Sequence, residues 1–196
     1  MNRHYAMLRL VGLFLLMYIS LRAESAIPPQ VETRGIPVFP AELAAKIKPY
    51  LNIRTVQFQD WQLSGTNITV LVALRPEKGQ VNQLHVFNKP RGKPRQITFG
   101  KNPVRKAIIN PLNDRSIIFL RDEGGSERYQ IFHYDLATGK TIRITDGKNR
   151  HTGVHWSSKG DQIAYFSPKR NGRDNDLYIS RFNQTGSEKL LLKLNG

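Results

Sequence analysis

Ser116-Ile117-Ile118-Phe119-Leu120 is a nearly continuous apolar run that stops at a charged loop, Arg121-Asp122-Glu123-Gly124-Gly125-Ser126-Glu127-Arg128, and is followed by a second run, Tyr129-Gln130-Ile131-Phe132-His133-Tyr134. A run this short and this apolar reads as a strand covered on both faces. The same arrangement stands on either side of it. Leu71, Ile117 and Ile163 are 46 and 46 residues apart, as are Leu74, Leu120 and Phe166; Leu84, Ile131 and Leu177 are 47 and 46 apart. Self-similarity at this period describes a stack of small β-sheets, one per repeat, in which neighbours supply the core that no single repeat can bury. The fold class expected is all-β: an incomplete β-propeller of about three four-stranded antiparallel blades, preceded by a signal peptide and a short α-helix.

Working outward, strands are expected at Thr69 to Leu74 and Val81 to Phe87 in the first repeat, and at Thr141 to Thr145 after the turn Asp135-Leu136-Ala137-Thr138-Gly139-Lys140 in the second. The third repeat opens on His155-Trp156-Ser157-Ser158-Lys159-Gly160-Asp161. It continues with strands at Gln162 to Phe166, Asp176 to Arg181 and, after Asn183-Gln184-Thr185-Gly186, Leu190 to Leu194. The repeats span about 54–98, 99–145 and 146–196. Closed propellers take about four to eight blades, and an open array leaves a strand edge and an apolar face uncovered. The expectation is therefore the amino-terminal part of something longer, with ring closure by several chains as the alternative.

The start of the chain is a separate block, residues 1–25. Arg3 and Arg9 precede the apolar run Leu10 to Ile19, and Ala23-Glu24-Ser25 offers small residues for cleavage. The run is too short to cross about 30 Å of hydrocarbon, so it reads as a signal peptide with no stable membrane span after its removal. The location expected is periplasmic or secreted. The absence of cysteine excludes disulfides and thiol chemistry, and suits a bacterial periplasm. Residues 26–53 form a linker and a helix. Pro28, Pro29, Pro37 and Pro40 mark the linker, and Leu43, Ile47, Tyr50 and Leu51 make one helical stripe, weakened at its end by Pro49. This helix is expected to lie against an edge or face of the β domain.

The net charge is +15; three arginines against one glutamate in residues 1–25 leave +13 for the remainder. Such an excess favours anionic partners. Part of it is Lys89-Pro90-Arg91-Gly92-Lys93-Pro94-Arg95, where prolines and glycine indicate a solvated hairpin loop. No aromatic residues interleave with these cations for base stacking, so nucleic acid is not an expected partner. Asn67-Ile68-Thr69 matches a glycosylation acceptor but reads as part of a strand.

Three segments together resemble the propeller of the prolyl oligopeptidase family, in its dipeptidyl-peptidase and acylaminoacyl-peptidase-like branches. They are Phe119 to Ile131, Arg143-Ile144-Thr145-Asp146-Gly147, and His155 to Tyr165. The resemblance covers most of Arg54 to Leu194; its Trp-Ser-x-x-Gly element is shared with periplasmic propellers of the Tol type. It implies a serine peptidase in which a propeller gates a C-terminal α/β-hydrolase domain carrying Ser, Asp and His. The Gly-x-Ser-x-Gly of that domain is nowhere in this sequence, so no catalytic residue is assigned. On this view peptide substrates reach the protein through a hydrolase domain the chain lacks. The alternative is a Tol-like binding or scaffold propeller with no hydrolase.

Within the loop, Asp122, Glu123 and Glu127 stand beside Arg121 and Arg128. Glu127 and Arg128 either tie blade to blade by ion pairs or project toward the cavity as substrate-contact residues; they are the site candidates. His151 and His155 are four apart but on a loop and strand, with no third ligand, so no metal is expected. Trp61 and Trp156 read as apolar fillers near blade starts. Gly124-Gly125 lacks the lysine and helix of a phosphate loop, and no cofactor is expected.

Overall fold

A computed structural model describes residues 32, 34–37, 40–51, 55–76 and 80–195. The leader block and most of the linker lie outside the described residues. The chain divides into two units after Lys48, and every strand belongs to the second. Helix α1 (Ala41–Leu51) opens as its composition suggests. The Pro40 carbonyl accepts the Ala44 N–H at 3.0 Å, and Glu42 pairs with Lys46 one turn on at 2.8 Å. No residue of α1 is buried. Among the described residues, no helix is long and apolar enough to cross a membrane.

Twelve strands form three four-stranded antiparallel sheets, each taking its strands in chain order. The first holds β1 (Val56–Ser64), β2 (Asn67–Leu74), β3 (Gln83–Phe87) and β4 (Arg95–Gln96). The second holds β5 (Val104–Asn110), β6 (Asn113–Arg121), β7 (Gln130–Asp135) and β8 (Thr141–Arg143). The third holds β9 (Thr152–Trp156), β10 (Gln162–Ser167), β11 (Asp176–Arg181) and β12 (Lys189–Leu192). Each repeat read from the sequence is one sheet. The first strands come together, β1 beside β5 and β5 beside β9. This is the architecture of an incomplete propeller.

Two cores lie between the sheets, and period-two alternation explains both. On β6, Ile117 and Phe119 point to one side and Ile118 and Leu120 to the other. The first pair joins Leu71, Ala73, Leu84 and Val86 of sheet one. The second joins Val154, Ile163, Tyr165 and Tyr178 of sheet three. All four β6 residues are at most 7% exposed, so the middle sheet is covered on both faces. Each such side chain contributes about 1.5–3 kcal/mol by leaving water. Phe119 and Phe132 stack at 5.2 Å between ring centres in the first core. The outer sheets differ: Val56, Phe58, Trp61 and Leu63 of β1, and Leu191 and Leu192 of β12, are more than half exposed.

A recurring polar clip locks the outer strand of two sheets. Thr98 Oγ1 donates to Gln83 Oε1 at 2.7 Å and accepts from the Leu84 N–H at 2.8 Å. In the next sheet Thr145 Oγ1 donates to Gln130 Oε1 at 2.8 Å and accepts from the Ile131 N–H at 3.0 Å. Sheet three has Asp176 at the glutamine's position. Arg170 takes both its oxygens, Nε to Oδ2 at 2.6 Å and Nη2 to Oδ1 at 3.1 Å. That fork holds the Asp176 carboxyl below its ordinary range and raises Arg170.

Candidate functional site

The connections β2–β3, β6–β7, β4–β5 and β8–β9 meet at one end of the sheets. Backbone and side-chain hydrogen bonds join them. The Val104 N–H donates to the Asn82 carbonyl at 3.0 Å, the Gly124 N–H to Asn102 Oδ1 at 3.0 Å, and the His151 N–H to the Tyr129 carbonyl at 2.9 Å. Gln130 Nε2 also donates to the carbonyls of Arg128 at 3.1 Å and Asn149 at 2.7 Å.

The charged loop after β6 is built around Asp122. This carboxylate is 3% exposed, and its Oδ2 accepts the Glu127 N–H at 2.9 Å. The Ser126 N–H closes onto the Glu123 carbonyl at 3.2 Å. Gly124 and Gly125 turn the chain with φ of 63° and 74°, and Glu127 follows at φ 57°. A glutamate in the left-handed region costs about 1–2 kcal/mol, and it persists here because Asp122 pins its amide. The side chains of Glu127 and Arg128 are exposed, and neither forms an ion pair among the described residues. Arg121, at the loop's start, lies over the rings of Phe132 (4.6 Å) and Phe119 (5.7 Å). Burial lowers its pKa against the opposing charge of Glu123.

The two histidines are not brought together. His151 is 1% exposed, with Nε2 at 3.3 Å from Asp146 Oδ1, its ring edge against Tyr165, and Nδ1 unpartnered. Burial pushes its pKa down, opposed by Asp146. Burial also works against the Asp146 carboxylate. Hydrogen bonds from Lys148, Asn149 and His151 outweigh it and hold that carboxyl well below its ordinary range. His155 is exposed on β9. Among the described residues, no three metal-ligating side chains form a group.

Along the first strands, sheet one is stitched to sheet two through side chains. Asp60 Oδ2 accepts the Ile109 N–H at 2.8 Å, Gln59 Oε1 accepts the Ala107 N–H at 3.0 Å, and Gln62 Nε2 donates to the Pro111 carbonyl at 3.0 Å. A groove of about 490 Å³ opens beside these strands, with Trp61, Ile108, Pro111, His155 and Trp156 among its walls. Trp156 is half-buried. Its Nε1 donates to the Ile108 carbonyl at 3.2 Å, and its ring meets Phe182 edge-on at 5.0 Å. Trp61 corrects the sequence reading: it is 56% exposed and fills no core, because the side chains that face sheet two at this point are those of its neighbours Asp60 and Gln62. The groove was not legible from the sequence, because its walls come from three repeats.

No family model matches the chain, and no curated protein matches it. Solved structures do, at the level of fold. The structure of a putative TolB from Agrobacterium tumefaciens superposes with a TM-score of 0.52 at 18% identity, over 66% of this chain and 43% of that one. TolB from Acinetobacter baumannii gives 0.52 at 20% identity, over 70% and 32%. The β-propeller domain of the Trilobed protease from Pyrococcus furiosus gives 0.50 at 15% identity, over 70% and 43%. The chain spans less than half the length of each of these structures. Their likeness identifies the fold as propeller-type.

Proposed function

We propose that this chain is a peptide-binding propeller module, and that in the whole protein it gates the active site of an exported serine oligopeptidase or aminopeptidase. The observation that carries the reading is the loop Asp122 to Arg128. It holds a glutamate in an unfavourable backbone conformation at a sheet end, with its side chain in no ion pair among the described residues. Strain of this kind is kept where a side chain must be aimed. Glu127 and Arg128 are proposed to contact the backbone or termini of a peptide, and the groove beside the first strands to receive its apolar side chains. Hydrolysis would belong to a separate domain with its own Ser, Asp and His, and further sheets would cover the exposed outer faces. A location outside the cytoplasm rests on the leader-like block of residues 1–25.

The purified 196-residue chain should bind short peptides and leave peptide amides uncut. Titration calorimetry and a peptide-amide assay measure the two. Hydrolysis that survives purification and is stopped by a serine-directed reagent would overturn the division of labour.

A second reading, a Tol-like binding module with no hydrolase, draws on the exposed Trp61 and the half-buried Trp156 beside the groove. Aromatic surface of this kind suits a long-lived protein partner. The reading frame beyond residue 196 separates the two. A Gly-x-Ser-x-Gly followed by Asp and His supports the peptidase, whereas more sheets and a stop codon support the binding module.

A further inference from the structure

Arg105 is the extra residue of a β-bulge. On β5, Val104 pairs with Arg121 and Lys106 with Leu120, which leaves Arg105 without a cross-strand partner. A bulge of this kind re-aims a side chain out of the regular alternation. Its guanidinium carbon stands 5.8 Å from the centre of the Tyr129 ring. From the β8–β9 connection, Arg150 reaches the same ring at 5.7 Å. Both arginines are exposed, and neither has an ion-pair partner among the described residues. Arg170 is the contrast, closed onto Asp174 and Asp176.

The residue that both guanidiniums approach is anchored. Tyr129 packs on the second core, and its carbonyl accepts the His151 N–H at 2.9 Å. The residue before Arg150 is held by Gln130 Nε2 on the Asn149 carbonyl at 2.7 Å. Two acids of the adjoining loops are already engaged: the buried Asp122 takes the Glu127 amide, and the half-buried Asp146 takes Lys148, Asn149 and His151. Two planar forks without a carboxylate partner among the described residues, held beside one anchored ring, are pre-organised for an anion.

Arg105 and Arg150 also stand at the same end of the first-strand wall. Arg105 is near the start of β5, which carries Ile108 of the groove, and Arg150 is two residues before β9, which ends at Trp156. At about 3.3 Å per residue, roughly 10–20 Å separates the cations from the aromatic groove, the length of a few extended residues.

We propose that Arg105, Arg150 and the ring of Tyr129 form a carboxylate subsite that receives an acidic side chain of a bound peptide. This rests on the peptide-binding reading above and adds a preference to it. The subsite selects peptides with an Asp or Glu a few residues away from the side chains lying in the groove.

Titration calorimetry on the full chain, with two peptides acetylated and amidated at their ends, tests it. One alternates alanine with glutamate and the other alanine with glutamine. The glutamate peptide should bind about tenfold tighter or more, the worth of a charge-assisted fork. The double variant R105Q/R150Q should bring the glutamate peptide to the affinity of the glutamine peptide and leave the latter unchanged. R105K/R150K should recover only part of the preference, since it keeps charge and loses the planar fork. Removing four cations elsewhere, with K89Q/R91Q/K93Q/R95Q, should leave the preference in place. Equal binding of both peptides by the unaltered chain overturns the subsite alone. Loss of preference in the four-cation variant as large as in the double variant also overturns it, because net charge would then be the cause. Failure of both peptides to bind overturns the subsite together with the peptide-binding reading. The first comparison needs no variant, and thermal melting of each variant shows that its fold is intact.

Discussion

On the proposed peptide-binding reading, Glu127 puts stability and binding in opposition at a single residue. Glycine adopts φ 57° freely, so Glu127→Gly removes about 1–2 kcal/mol of backbone strain and returns about 0.5–1 kcal/mol as unfolded-state entropy. The variant should be as stable as the parent or up to about 1.5 kcal/mol more so by urea denaturation, while peptide affinity falls. A loss of stability would show that the glutamate is structural. Gly160 of the Trp-Ser-x-x-Gly element runs the other way. At φ 64°, a Cβ there would lie 2.3 Å from Asn110 Oδ1, and Asn110 Nδ2 donates to the Gly160 carbonyl at 2.7 Å. Gly160→Ala should cost more than about 1–2 kcal/mol, read as a lowered urea midpoint with unchanged slope. The motif is visible in the sequence, but its reason is not, because Asn110 belongs to the preceding repeat.

At the scale of the strand, the sequence is most readable where a strand has a hydrogen-bonded partner on each edge. The runs at Ser116 to Leu120 and Asp176 to Arg181 coincide with β6 and β11 to within a few residues. The first strands are harder to delimit. β1 reads Val-Gln-Phe-Gln-Asp-Trp-Gln-Leu-Ser, and its polar residues serve as hydrogen-bonding stitches to β5 while its apolar ones face outward. The glutamine–threonine clip was equally hidden. Gln83 and Gln130 look like ordinary strand residues until the threonine fifteen positions on folds back to each. Thr145→Val tests it: the shape is kept, but the Ile131 N–H and Gln130 Oε1 lose a buried partner. The expected cost is about 1–3 kcal/mol, with the β7–β8 amides exchanging faster than in the parent. Loop geometry at the site was legible only as composition. The sequence contains Asp122, Glu127 and two glycines, but not the bond between the Asp122 carboxylate and the Glu127 amide that shapes them.

Across the whole molecule, the repeat period was sufficient to read three sheets, because strand alternation and turn chemistry agree in every copy. Electrostatics enters through the buried histidines. His85, His133 and His151 all have pKa values lowered chiefly by burial. The unfolded chain therefore binds protons that the folded chain refuses once the pH drops below the ordinary histidine value of 6.5. Stability should be flat above that point and fall as the pH decreases through it. The carboxylates with depressed pKa values, Asp146, Asp176 and Glu188, should lose their contribution only at lower pH. Urea midpoints at pH 7.5, 6.0 and 5.0 measure the slope. Replacing His151 by asparagine should flatten its first part, and an unchanged slope in that variant would remove His151 from the account.

The middle sheet's double coverage also sets an order of opening. Each flanking sheet is held by one interface and the central one by two, so releasing a flank breaks one interface while releasing the centre breaks both. Deuterium should therefore enter the array from its margins. Amides of β1 and β12 would label first, and those of β6 and β7 would wait for the final cooperative loss of structure, making them the slowest clock in the molecule.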